Sequence, residues 1–255
     1  MPRIRLTLEY DGTDFVGWQR QLNGRSVQTV VEAALAELLG VWVQAVAAGR
    51  TDSGVHALGQ VVAFDAPRPL PAQAYLRGLT GLLPPDVAVV AAAEVPDGFD
   101  PRRWATGKRY RYCLTRRPSR SPLLRRTHWE LFGPLDVGAM QTAARALVGT
   151  HDFTSFRAAD CEAPHARRTL RTVQLADLGE TLQIELEGTA FLKHMVRNVV
   201  GSLVEVGRGK HPPEWIAELL AARDRTLAGP TAPAHGLTLV EVTYGEGPRD
   251  SATTS

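Results

Sequence analysis

An α+β fold made of two similar β-α-β-β-α-β modules is predicted by three observations. Short runs alternate apolar and polar residues, the period-two signature of half-buried strands. Longer runs carry apolar residues at i, i+3, i+4 and i+7, the stripe of an amphipathic helix. The order of these runs before Pro96 recurs after Lys108. A chain of 255 residues is long enough to bury roughly 70–75% of its unfolded surface, as one large domain or two small ones.

The elements follow in order. Ile4, Leu6, Leu8 and Tyr10 alternate with Arg5, Thr7 and Glu9, so a strand opens the chain. Ser26 precedes the stripe Val27, Val30, Val31, Ala34, Leu35, Leu38 and Gly40 closes it, which predicts an N-capped helix with a glycine stop. Val41 to Val46 and Gly59 to Phe64 are rich in β-branched and aromatic residues and read as two strands. Pro69 and Pro71 introduce a shorter helix to about Leu83, and Val87 to Glu94 is the fourth strand. The second round starts with the alternating run Lys108 to Leu114, then a helix from Val137 to Leu147 ended by Gly149. Strands at Leu170–Leu175 and Leu182–Leu186 come next, followed by a helix from Ala190 to Val206 whose stripe is Phe191, Met195, Val199 and Leu203. An added helix runs from Pro213 to Arg223, and Leu237 to Tyr244 is the last strand.

This is the ferredoxin-like, RRM-like split βαβ pattern used twice, with antiparallel sheets backed by helices and the modules joined around a central cleft. The expected division is residues 1–104, residues 105–245 and a disordered tail at 246–255. The pattern alone names no function.

Composition excludes several classes. Hydrophobic residues make up 44% and charged residues 22%, so disordered and fibrous readings are out. Met1 to Tyr10 has no hydrophobic segment of signal-peptide length, and no apolar run is long enough to span a bilayer. A cytoplasmic protein without a membrane partner is expected. Cys113 and Cys161 are the two cysteines and form no Cys-x-x-Cys pair, and the histidines form no ligand pattern, so no metal is expected.

Charge is small in sum and uneven in place. The net charge is +2, yet Pro101 to Trp129 contains no acidic residue while it holds Arg102, Arg103, Lys108, Arg109, Arg111, Arg116, Arg117, Arg120, Arg125 and Arg126. Trp104, Tyr110 and Tyr112 are interleaved with these cations. Phosphate contacts and stacking surfaces together suit nucleic acid, whereas a single basic cluster is often only a solvated face.

One loop isolates a carboxylate. Gly49-Arg50-Thr51-Asp52-Ser53-Gly54-Val55-His56 places Asp52 between two apolar runs, on the kind of strand connection where functional residues gather. Asp-Ser-Gly is also ordinary turn chemistry. An aspartic-protease reading fails because no second Asp-Ser/Thr-Gly occurs to share the proton.

With these features in hand, the chain resembles the TruA family of tRNA pseudouridine synthases, nearly end to end. The matching segments are Tyr10-Asp11-Gly12-Thr13, Gly17-Trp18-Gln19-Arg20, Gly49 to His56, Lys108-Arg109-Tyr110-Arg111-Tyr112, His151-Asp152-Phe153-Thr154-Ser155-Phe156, Phe191-Leu192-Lys193-His194-Met195-Val196-Arg197-Asn198 and Asp224-Arg225-Thr226. Ser53 stands where many relatives carry Ala. The resemblance implies conversion of uridine to pseudouridine at positions 38, 39 and 40 of the tRNA anticodon stem-loop, by a homodimer needing no cofactor. It implies Asp52 as the nucleophile, either adding to the ribose C1′ or abstracting the C2′ proton. It implies Arg197 as the cation that keeps Asp52 ionised against desolvation, and Tyr110 as the residue stacking on the target base. Tyr112, on the same strand face, is assigned to packing. Arg50, Gln19, Arg20, Lys108 and Arg109 are assigned to RNA binding. His56 and His194 stay open between hydrogen-bond networks and proton transfer. The alternative from a different class is a non-catalytic RNA-binding module or tRNA chaperone, which would need the basic surface but not Asp52.

Overall fold

The computed structural model describes residues 1–245, and the 246–255 stretch expected to be a disordered tail lies outside the described residues. The chain divides into two compact units. The first is Met1–Thr106 joined by the stretch from Leu239, and the second is Gly107–Thr238. The last strand therefore groups with the first unit, whereas the sequence pattern keeps everything from 105 to 245 together.

In the first unit the elements are β1 (Arg3–Tyr10), α1 (Val27–Leu39), β2 (Val46–Ala47), β3 (His56–Asp65), α2 (Ala72–Leu82) and β4 (Val87–Val95). The chain returns as β10 (Leu237–Tyr244). The strand order is β4-β1-β3-β10, with β2 also on β3. β1 pairs antiparallel with both β3 and β4, with Leu6 opposite Val62 and Ala92. Ile4, Leu6 and Leu8 are buried as the alternation requires, and Val27, Val31 and Leu35 of α1 join them in the core. Helix α1 is capped as expected: the Ser26 side chain accepts from the Thr29 N–H, and Gly40 closes it in the left-handed conformation.

The strand expected at Val41–Val46 shrinks to two residues at its far end. The cause is a side chain competing for backbone. Glu32 Oε1 accepts the Ala45 N–H at 3.0 Å, so that donor is spent on α1 and not on a neighbouring strand. Val41 and Trp42 are left exposed.

The second unit contains β5 (Ala105–Thr115), which starts at the unit boundary, then β6 (Trp129–Glu130), α3 (Val137–Arg145), β7 (Gly149–Asp152), β8 (Arg167–Leu178), β9 (Thr181–Gly188), α4 (Met195–Gly207) and α5 (Trp215–Ala222). Its strand order is β5-β9-β8-β7, antiparallel throughout, and two residues of β6 run parallel beside β5. The short strands β6 and β7 carry too few residues to show a period. Helix α4 begins at Met195 and not at Ala190. His194 takes a left-handed φ of 61°, and the Lys193 carbonyl accepts from the Ala158 N–H at 3.0 Å, so the backbone before Met195 bonds elsewhere. Phe191 drops out of the helix stripe, while Met195, Val199 and Leu203 remain fully buried.

Gly201 sits in the interior of α4, where Ala is normally better by about 1 kcal/mol. Here a Cβ would lie 1.7 Å from the Pro230 carbonyl oxygen. Overlap of that size reverses the propensity gain. Gly201→Ala is expected to destabilise the protein by about 1–3 kcal/mol, read as a lower urea midpoint at unchanged slope.

Candidate active site

The Asp52 loop joins β2 to β3 and has no regular structure, so its shape comes from bonds to the segment just after β1. The Trp18 N–H donates to the Thr51 carbonyl at 3.1 Å and the Gly54 N–H to the Phe15 carbonyl at 3.3 Å. Ser53 Oγ donates to the same Phe15 carbonyl at 3.2 Å. The loop also closes on itself, with the Val55 N–H on the Asp52 carbonyl at 3.1 Å. Gly17 makes the approach possible: its φ is +108°, and a Cβ there would meet the Thr51 carbonyl oxygen at 2.7 Å. The backbone on either side of the Asp52 side chain is thus fixed, and the residue itself is half-buried.

A buried layer lies beneath. Tyr10 Oη and Thr51 Oγ1 share a hydrogen bond of 2.8 Å, and Gln60 Nε2 donates to the Gly49 carbonyl at 2.8 Å. Burial pushes the Tyr10 phenol up to about 12, opposed by its bonds to Thr51 and Gln60, so it stays protonated and serves as a structural anchor. His56 is buried, and its Nδ1 lies 3.1 Å from the Gly12 N and 3.1 Å from Asp11 Oδ1. A neutral ring accepts from the amide; a protonated one donates to the carboxylate. Either bond ties the start of β3 to the end of β1.

Two residues assigned to RNA binding meet beside this loop. Arg50 Nε donates to Gln19 Oε1 at 3.1 Å. Arg20 Nη2 bonds to the carboxylate of Glu32, which is 1% exposed, while the Arg20 side chain itself stays 51% exposed. Glu32 also accepts from Gln28 Nε2 and the Ala45 N–H, both at 3.0 Å. Sequence reasoning missed Glu32, although a carboxylate beside the stripe residues Val31 and Leu35 was the available signal.

In the second unit Tyr110, Tyr112 and Leu114 share the buried face of β5. Tyr110 is 8% exposed and meets Phe191 edge-to-face, centroids 5.0 Å apart. Tyr112 packs against Trp129 and donates its hydroxyl to the Pro233 carbonyl at 2.8 Å. Burial raises its pKa, and the Arg197 guanidinium opposes the rise. Arg197, in the first turn of α4, donates from Nε to the Ala232 carbonyl at 2.7 Å while the Ala232 N–H returns to the Arg197 carbonyl at 3.1 Å. The guanidinium is therefore oriented by the loop before β10. Half-buried Lys108 and Arg109 precede Tyr110 on β5, with Arg109 Nη1 3.6 Å from Glu185.

The family model described as tRNA pseudouridine synthase matches residues 7–102 and 143–245. Among curated relatives, tRNA pseudouridine synthase A of Myxococcus xanthus is 60% identical over 97% of this chain and 94% of its own length. The enzymes of that name from Geobacter sulfurreducens and Syntrophotalea carbinolica are 51% and 50% identical, each over 96% of this chain. The chain belongs to the TruA family of tRNA pseudouridine synthases. It is an isomerase acting on tRNA, and the reading as a non-catalytic RNA-binding module gives way to that assignment. Asp52 and Arg197 lie inside the stretches matched by the family model, whereas Lys108, Arg109 and Tyr110 fall in the gap between them.

Several family motifs turn out to be scaffold. Asp152 Oδ1 accepts from the N–H and hydroxyl of Thr154, and Asp224 Oδ1 does the same for Thr226. Asn198 is fully buried and bonds Phe156, Arg225 and Thr231. These contacts brace the start of α4 near Arg197. A cavity of about 580 Å³ in this unit, lined by His151, Asp152, Arg167 and Arg223 among others, includes neither Tyr110 nor Arg197. Among the described residues no cluster of three or more His, Cys, Asp or Glu is arranged to hold a metal, and no helix is long and apolar enough to cross a membrane.

The Thr154 bonds hold the Asp152 carboxyl below its usual range, with Arg223 and Arg157 adding to the effect and burial opposing it. A lowered folded pKa means stability that is present above the unfolded value and lost as pH falls through the folded one. Asp152→Asn is therefore expected to cost ~0.5–1 kcal/mol near neutrality. The gap to the parent should close in unfolding curves taken below about pH 4.

Proposed function

We propose that this enzyme converts uridine to pseudouridine at positions 38, 39 and 40 of the tRNA anticodon stem-loop, with Asp52 as the nucleophile. The observation that carries the role of Asp52 is its loop: a half-buried carboxylate on backbone clamped by the Trp18, Phe15 and Val55 hydrogen bonds. A group that must meet one ribose carbon needs that fixity more than it needs a base of its own.

The chemistry balances without a cofactor. The N1–C1′ bond of uridine breaks as Asp52 takes up C1′ in an ester, or removes the C2′ proton to leave a glycal. The uracil turns while held; C5 bonds to C1′ as the Asp52–C1′ ester bond breaks, or, on the glycal route, as Asp52 returns its proton to C2′; the C5 hydrogen then leaves as a proton while N1 gains one. In this reading Tyr110 stacks on the base and assists the C5 proton, and Arg197 counters desolvation of Asp52. The rigid Ala232 contact of Arg197 supports a positioning role, since a guanidinium oriented by backbone keeps its remaining donors at a set angle. Arg50, Gln19, Arg20, Lys108 and Arg109 bind RNA around the target. The family resemblance supports a homodimer working in the cytoplasm. Extruding a stem uridine costs roughly a few kcal/mol, which phosphate contacts elsewhere offset.

Those phosphate contacts come from only part of the basic block. Arg111 bonds Glu185 at 2.7 Å, Arg117 lies 3.3 Å from Glu180, and Arg116 pairs with Asp177. The acids that the 101–129 span lacks thus come from β8, β9 and the turn between them. Arg120 and Arg125 are exposed on the long connection from β5 to β6 and are the better candidates for phosphate.

Two outcomes test the reading. Asp52→Asn should retain tRNA binding and release no tritium from C5-labelled uridine in tRNA; turnover in that variant removes Asp52 as nucleophile. Replacing Arg120 and Arg125 together with Ala should lower the slope of log affinity against log salt by about 1–2, and an unchanged slope excludes these two as phosphate ligands.

A further inference from the structure

Residues 17–20 connect two parts of the first unit. Trp18 and Gln19 bond the loop that carries Asp52. Arg20, the next residue, has its guanidinium carbon 5.7 Å from the ring centroid of Trp42. Trp42 is 55% exposed and its neighbour Val41 47% exposed, although this stretch has the composition of a strand.

An indole mostly in water asks for an explanation, because aromatic side chains normally bury most of their area. So does Glu32, whose carboxylate is buried, because taking a charge out of water is costly unless it is well partnered. The two observations explain each other. Glu32 holds Arg20 through its side chain, and Gln28 Oε1 accepts the Arg20 N–H at 3.1 Å. Glu32 also holds the Ala45 N–H at 3.0 Å, which keeps residues 41–45 out of the sheet and presents Trp42 at the surface. A single buried carboxylate thereby fixes both the cation and the ring it accompanies.

We propose that Trp42, with Arg20 beside it, is a stacking platform for an unpaired base of bound tRNA. An exposed indole offers every base a π-face without reading its edge, and an adjacent guanidinium strengthens such a stack. tRNA is favoured as the occupant because it is this enzyme's substrate, and because the segment that sets Arg20 beside the ring continues into the polar Gln19–Arg50 pair. The inference rests on tRNA being the substrate and not on the role of Asp52.

The test measures binding of an unmodified tRNA transcript by filter retention, in an Asp52→Asn background so that no substrate is consumed. Trp42→Ala is expected to weaken affinity about 5- to 100-fold, and Trp42→Phe to stay within about threefold because it keeps a π-face. The salt slope should not move, since no phosphate contact is removed, and the thermal midpoint should stay within ~2 °C for so exposed a site. Undiminished tRNA affinity in Trp42→Ala overturns the proposal. So does a change in sedimenting mass for that variant, which would make the ring a contact between copies of this chain. Because binding is read without turnover, an error in the catalytic role given to Asp52 would alter neither result.

Discussion

The candidate active site depends on the antiparallel exchange between residues 15–18 and the Asp52 loop. Two amide bonds, Trp18 to Thr51 and Gly54 to Phe15, stand in for the ladder that a strand would have provided. They work because Gly17 can bring its backbone to the Thr51 carbonyl at a φ open to glycine. Below them, Tyr10 and Gln60 secure the Thr51 hydroxyl and the Gly49 carbonyl from inside the sheet. Loop position and sheet register are therefore one constraint. Moving β1 by one residue against β3 would turn Tyr10 outward and remove the support under Thr51.

Regular elements are legible in the sequence wherever a long period meets a cap. β1, α1 and β4 follow their patterns to within a residue or so, and β5, β8 and β9 occur where alternation places them, though longer. The failures share one physical cause, side chains or distant backbone taking hydrogen bonds that local propensity reserves. Glu32 takes the Ala45 amide and empties the Val41–Val46 strand. Ala158 takes the Lys193 carbonyl and delays α4 to Met195. Neither competitor lies near its target in the sequence, so no window of residues could reveal it.

The site is legible to a different degree. Asp52 stands out because glycines and apolar runs isolate it, and the structure adds the backbone bonds that hold its loop. Arg20 stands in a family motif, and the structure adds what the motif does not show, a buried carboxylate that holds its guanidinium. In the second unit, Asp152, Asn198 and Asp224 belong to family motifs yet spend their polar atoms on backbone and on neighbouring side chains. A motif records that a position is constrained. Only the partners of its polar atoms tell chemistry from scaffold.

Charge shows why that distinction matters for RNA binding. Along the chain, residues 101–129 are an uninterrupted cationic block; across the sheet, Arg111, Arg116 and Arg117 face Glu185, Asp177 and Glu180. Antiparallel pairing brings β9 beside β5 and β8 beside β9, so acids distant in sequence become cross-strand neighbours. Cations already paired exchange one partner for another on meeting phosphate and gain little. Arg120 and Arg125, on the connection to β6, lie outside the ladder that supplies those acids, and a phosphate reaching them displaces mainly solvent and mobile ions. Affinity for tRNA should accordingly concentrate where the sheet ends, because the sheet itself neutralises much of what it carries.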